Sequence, residues 1–167
     1  ESAMRTVFGA IQHYDWGDTQ ALPRLLQLPA DGKPWAEMWF GTHPIAPAHL
    51  DAANGPLLSE LSGEMTMLVK LLSCVSPLSL QTHPNAEQAR EGFASEETLG
   101  VDRSAPTRMN RDASDKPEMM IALEPFEAVC GFAPAASTVQ FLRSMGWSTE
   151  ADHLAHNCIA SYLQWAF

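Results

Sequence analysis

The segment SPLSLQTHPNAEQAREGF, residues 76–93, sets Gln81 and His83 two positions apart, immediately before Pro84. On an extended strand, residues at i and i+2 point to one face, so an amide oxygen and an imidazole nitrogen placed there can share one cation. Ser79 has the same parity, so three polar side chains converge on one strand face, opposite Leu78 and Leu80. An isolated Gln-x-His pair reads first as a strand end turned to solvent, and the rest of the chain has to decide. Lys70 stands alone in the apolar run MLVKLLS, where an ammonium is costly unless it is paired or reaches a pocket. His153 and His156 lie i, i+3 on a helical pattern and share a face, so they could supply a ligand; two solvated helix histidines is the simpler reading.

The bulk numbers narrow the chemistry. The 167 residues are 46% hydrophobic and 18% charged, enough for one domain with a core or for part of a larger one, and not the composition of a disordered chain. A formal net charge of −10 offers no basic surface to nucleic acid or to an anionic membrane. A small anionic substrate stays compatible, because a metal and two or three lysines can make a pocket positive locally. Cys74, Cys130 and Cys158 are far apart, odd in number and form no CxxC, which predicts neither a disulfide framework nor a thiolate zinc site and fits a reducing, cytoplasmic setting. The opening ESAMRTVFGA lacks the apolar segment of a signal peptide, and Met4 reads as the natural start. The most apolar run, MTMLVKLLSCVSPLSL, is interrupted by Lys70 and Pro77 and is too short to span a bilayer.

The elements that must position these residues follow from periodicity and turn chemistry. MRTVFGAIQHYDWG reads as a strand ending in an aromatic turn at Gly17, and DTQALPRLLQL as a short helix capped by Asp18 or Thr19. PWAEMWFGTHPIAPAHL reads as a strand near Gly41 followed by a proline-rich loop, and GPLLSELSG as a short helical passage between glycines. MTMLVKLLSC and SPLSLQTHP predict two successive strands with a turn at Ser76-Pro77. NAEQAREGFASEETLG predicts a helix with Asn85 as cap, Gln88 at the capping-box position and a stop near Gly100. Residues 100–116 are polar and irregular, a loop able to cover something, and KPEMMIALEPFEAVCGF predicts two strands joined at Glu124-Pro125. The remainder is helical in pattern, breaks near Gly146 and ends on YLQWAF, leaving Trp165 and Phe167 exposed. Trp35, Trp39, Met119 and Met120 are expected in the core, with Trp16 and Glu37 as structural or supporting residues. Local reasoning leaves two architectures open, an α+β arrangement and a β-sandwich carrying a helical insertion.

Four blocks, HYDWG (13–17), AEMWFGTHP (36–44), PLSLQTHPN (77–85) and KPEMMIALEPFEAVCGF (116–132), resemble, in order, the signature blocks of the type I mannose-6-phosphate isomerases. The likeness runs from near residue 5 to about residue 145. It implies a mainly β fold of α+β character, a cupin-like jelly roll with inserted helices that is incomplete in this chain. On that reading residues 1–135 are the catalytic β region carrying a metal half-site, and 136–167 open a truncated helical region. It implies a zinc-dependent aldose–ketose isomerase that interconverts mannose 6-phosphate and fructose 6-phosphate through an enediol, cytoplasmic and monomeric at full length. The partner is then a phosphorylated hexose, with no nucleic acid and no membrane.

By the same resemblance, Gln81, His83 and Glu118 are the zinc ligands, a set of N and O donors that suits the metal. The neutral glutamine leaves such a site more net positive charge than a second carboxylate would. Lys116 and His43 are the residues of proton handling and ring opening, and Lys70 with Ser79 is the phosphate-binding pair. A further histidine ligand and an active-site arginine belong to a later part of family members, which run to more than twice this length; the chain is therefore expected to be an N-terminal portion. Asp115 stands where the family has a histidine before KPE, which alters the charge beside the metal or faces solvent. The alternative is a non-catalytic cupin-type module that binds metal or sugar, or an inactive fragment.

Overall fold

The computed structural model describes residues 4–166; Phe167 and the three residues before Met4 fall outside them, and with them the expected exposure of Phe167. The chain divides into two compact units, Glu1–Lys116 and Pro117–Phe167.

In the first unit the strands are β1 (Val7–Phe8), β2 (Ala10–Gln12), β3 (Glu37–Phe40), β4 (His49–Leu50) and β5 (Val69–Leu72), with helices α1 (Ala21–Leu26), α2 (Leu58–Ser62) and α3 (Ala86–Thr98). β1 pairs antiparallel with β4, and β2, β3 and β5 form an antiparallel sheet with β3 in the middle. The register places Gln12 and Leu72 opposite Glu37, and Ala10 and Lys70 opposite Trp39. Residues that face each other across a ladder share a face. One face of the sheet is therefore Ala10, Gln12, Glu37, Trp39, Lys70 and Leu72, and the other is Ile11, Met38, Phe40 and Leu71. The second face is the core: Leu22 from α1, Trp35 and Met38 are buried together, with Ile11, Leu26, Phe40 and Leu71 against them. Each such side chain, fully buried, contributes roughly 1.5–3 kcal/mol.

The aromatic turn of the first block depends on a missing side chain. A Cβ on Gly17 would lie 2.5 Å from the backbone N and Cα of Ala36, itself fully buried. Gly17 bridges to Cys74, Asp18 bridges to Trp35, and the amide of Val75 donates to the carbonyl of Trp16 at 3.0 Å, so the turn is knitted to the chain on both sides. Asp18 satisfies the start of α1 as expected, its Oδ1 accepting from the amides of Gln20 and Ala21 at 2.6 Å, although Gln20 is the cap residue by backbone conformation.

Helix α3 forms as its sequence predicts. Asn85 Oδ1 accepts from the amides of Glu87 and Gln88, and Gln88 Oε1 accepts from the Asn85 amide, a reciprocal capping box. Gly100 stops it at φ 68°. The loop after it is pinned back by Arg108, whose side chain is fully buried. The guanidinium donates to the carbonyls of Val101 and Asn110 and to Glu97, and lies 5.1 Å from the centroid of the Phe93 ring. Glu96 accepts from the amides of Met109 and Asn110, and the Asn110 side chain packs over Gly92, where a Cβ would come within 2.6 Å of it.

Two strand expectations are corrected. Residues 77–84 and 117–133 have no strand pairing; they are extended coil with bends at 75–76 and 123–125, where the turns were expected. Both have alternating or apolar strand sequences, but a strand exists only when its backbone N–H and C=O groups meet a neighbouring strand. Met119 and Met120, expected in the core, are exposed to 87% and 61% for the same reason. Trp35 and Trp39 are buried as expected.

The second unit holds α4 (Ala135–Ser144), α5 (Ser148–His156) and α6 (Ile159–Ala166). Gly146, at φ 80°, makes the expected break, and a second break at Asn157 separates α5 from α6. Val139 and Leu142 of α4 pack on Ala151 and Leu154 of α5, with Ile159 and Tyr162 of α6 alongside. Among the described residues no helix is long and apolar enough to cross a membrane. The three cysteines are free thiols.

Candidate functional site

The polar face of the central sheet gathers the groups with chemistry. Glu37 and Trp39 lie i, i+2 on β3, and the Trp39 indole N–H donates to Glu37 Oε2 at 2.6 Å. Lys70, opposite Trp39 on β5, holds its Nζ 3.6 Å from the same Glu37 oxygen and 4.5 Å from the centroid of the Trp39 ring. The lone lysine of the apolar strand is thus paired, while its side chain stays one-third open to solvent at 33%. His43, just beyond β3, meets the Trp39 ring edge-on with centroids 5.2 Å apart. Its Nδ1 accepts from the Ile45 amide at 3.3 Å, so in the neutral ring the proton sits on Nε2.

Two further groups border this cluster. Burial raises the Tyr14 hydroxyl pKa, the charge of Glu37 adds to the rise, and Arg111 opposes it. Lys116 donates to both carboxylate oxygens of Asp112 at 2.9 Å. Burial alone would raise the Asp112 carboxyl, but the bonds from Lys116 and the Ser114 amide, with the charges of Lys116 and His43, carry it below its ordinary value. His43, Lys70 and Lys116, expected to act on substrate, are therefore linked through Trp39, Glu37 and Asp112 within the first unit. Asp115 is exposed, the second of the alternatives weighed for it.

The remaining expected residues lie on the two coil segments. Ser79, Gln81 and His83 are exposed on 77–84, and His83 lines an open groove of about 440 Å³ with Thr82, Pro84, Gln88, Met109 and Asn110. Met109 and Asn110, on the loop anchored by Arg108, line that groove. Glu118 is exposed in the second unit. Among the described residues no three His, Cys, Asp or Glu side chains gather as a metal site. The expected ligand set holds only two of those four types, the third donor being an amide. Of the helix histidines, His156 is exposed and its Nδ1 lies 2.7 Å from the Asp152 carbonyl. His153 is part-buried: it stacks on Trp165 with ring centroids 4.3 Å apart and 11° between planes, and its Nδ1 is buried without a hydrogen-bond partner among the described residues.

The sequence reading passed over Asp112 and Tyr14, and took Trp39 for core alone. Asp112 carried a signal, its i, i+4 spacing to Lys116. Tyr14 carried none beyond its place in the aromatic turn.

Comparison with known proteins decides the family. Residues 4–135 match the phosphomannose isomerase type I catalytic domain. The chain belongs to that family. It is 31% identical over 180 residues to the mannose-6-phosphate isomerase of Salmonella typhimurium, covering 96% of this chain and 44% of that protein. Against the human mannose-6-phosphate isomerase it is 33% identical over 163 residues, covering 81% of this chain and 36% of the relative. The crystal structure of the Salmonella typhimurium enzyme bound to fructose 6-phosphate and zinc superposes with a TM-score of 0.81 at 28% identity, over 97% of this chain and 46% of that one. The apo form of the same enzyme gives 0.82. As a type I phosphomannose isomerase chain, this protein has the family's cupin-like fold with inserted helices, and it spans less than half the length of the curated relatives it matches. The strand sequences at 77–84 and 117–133 are unpaired within that span.

Proposed function

We propose that the protein acts in the zinc-dependent interconversion of mannose 6-phosphate and fructose 6-phosphate. The observation that carries this reading is that Lys70 of β5, His43 just beyond β3 and Lys116 are linked through Trp39, Glu37 and Asp112, in a chain that superposes on a zinc- and fructose 6-phosphate-bound relative. Gln81, His83 and Glu118 would hold the zinc; an amide oxygen, an imidazole nitrogen and a carboxylate are donors that it accepts. When bound, zinc supplies Lewis acidity toward a sugar oxygen.

The chain's own residues do the rest. His43, with Nε2 carrying the proton of the neutral ring, donates to the ring oxygen as the hexose opens. Lys116 as the neutral amine takes the proton from C2 of the aldose, becomes the ammonium that Asp112 holds, and returns that proton to C1 as the enediol passes to the ketose. Lys70 and Ser79 contact the phosphate. The reaction is placed in the cytoplasm, in keeping with three free cysteines.

The test is isomerisation of mannose 6-phosphate by the purified chain, with zinc added and then chelated. Zinc-dependent turnover is expected. A folded chain that binds zinc and fructose 6-phosphate without turnover would favour a non-catalytic binding module, and one that binds neither would overturn the proposal.

A further inference from the structure

We propose that Glu37 is the positioning residue of Lys70, and that Trp39 is the pin that orients both. This rests on the reading of Lys70 as a contact to the phosphorylated sugar. The three side chains form one closed unit: Glu37 Oε2 accepts the indole N–H of Trp39 at 2.6 Å and faces the Lys70 ammonium at 3.6 Å, while the ammonium sits over the Trp39 ring at 4.5 Å. The strand register builds the unit, since Glu37 and Trp39 are i, i+2 on β3 and Lys70 is the cross-strand partner of Trp39.

The exposures show which member is held and which holds. The Glu37 side chain is only 11% accessible and that of Lys70 33%, so the carboxylate is nearly sealed while the ammonium keeps an open side. A sealed carboxylate is costly unless it finds donors and a counter-charge; here the indole N–H donates to it and the ammonium at 3.6 Å supplies the opposite charge. An ammonium has three N–H vectors and no acceptor. With the carboxylate on one side and the ring face on another, the ammonium keeps its exposed side for an anionic or hydroxyl-bearing ligand. A lysine without this seat would spread over many rotamers, and fixing it on binding would cost side-chain entropy. The Tyr14 hydroxyl, sensitive to the same carboxylate, is the other titratable group facing it.

The chain has only three lysines, Lys33, Lys70 and Lys116, so competitive acetylation read by peptide mass spectrometry follows each of them in one sample. Relative to Lys33, Lys70 is expected to label about fivefold faster in Glu37→Gln, the upper range for a pair one-third open to solvent. Trp39→Phe keeps a ring under the ammonium but removes the indole N–H, and should give a smaller rise. Glu37→Asp should partly restore the native rate. An unchanged Lys70 to Lys33 ratio in both Glu37→Gln and Trp39→Phe overturns the proposal. If circular dichroism shows Glu37→Gln unfolded, Trp39→Phe decides alone, with a rise supporting and a native ratio overturning. Repeating the labelling with fructose 6-phosphate separates the two ideas. Protection of native Lys70 without any Glu37 effect sinks the positioning role and keeps the substrate contact; a Glu37 effect without protection keeps the positioning role and removes the contact.

Discussion

His83 and Lys70 show how a single residue is given a task by what surrounds it. His83 lies at the edge of an open groove, with the helix cap on one side and the anchored loop on the other. His83→Ala should abolish stoichiometric zinc retention, measured as zinc content after dialysis; a full equivalent retained by the variant would remove His83 from the ligand set. Lys70 sits in a run that reads as a buried strand, yet its side chain ends between a carboxylate and an indole on the polar face. Lys70→Ala should chiefly weaken fructose 6-phosphate binding, by roughly 1.5–3 kcal/mol for a lost charge-assisted bond. Calorimetric titration reads this directly, and an unaltered affinity would take Lys70 out of the phosphate site. What was legible here was residue type and parity: a lone lysine in an apolar run had to be paired. Its partner was hidden, because cross-strand register depends on which strands pair, and β3 and β5 are some thirty residues apart in the chain.

At the scale of elements, α3 and its loop are the clearest case of local determination. Asn85, Gln88 and Gly100 mark the helix in sequence, and the structure uses each as marked. Asn85→Ala should cost the first unit about 1 kcal/mol, seen as a lower denaturation midpoint with an unchanged slope. The lock that follows was not legible. Arg108, Glu96 and Glu97 are separated by a loop, and nothing in their types says that the arginine turns inward. The bonds from Arg103 and Arg108 hold the Glu97 carboxyl at about 2, against an ordinary 4.5. A carboxylate with a depressed folded pKa lends stability that is complete above its unfolded pKa and is lost as pH falls through the folded one. The pairing of Glu97 with Arg103 and Arg108 should therefore persist through the ordinary carboxylate range and be lost only as pH approaches 2. The Glu97 side-chain carboxyl carbon reports it by NMR; a titration centred near 4.5 would show that the pairing does not hold.

Across the whole molecule, paired and unpaired strand sequences have opposite fates. Val69–Leu72 finds β3 and becomes sheet, whereas 117–133, also rich in apolar residues, leaves Met119, Ile121, Val129 and Phe132 exposed. Such a run should bind a hydrophobic dye and drive concentration-dependent association. Ile121→Glu should reduce both in fluorescence and light scattering, and undiminished association would place the sticky surface elsewhere. The sequence by itself determined the capping of α3 and the helix break at Gly146, because each rests on interactions within a few residues of chain, and it set the order of the four family blocks. It also determined the chemical types available to the site. Only tertiary structure decided that Trp39 would serve core and site together and that His153 would stack on Trp165. Those outcomes depend on which distant segments pack together, and a strand pattern without a partner to bond cannot become a strand.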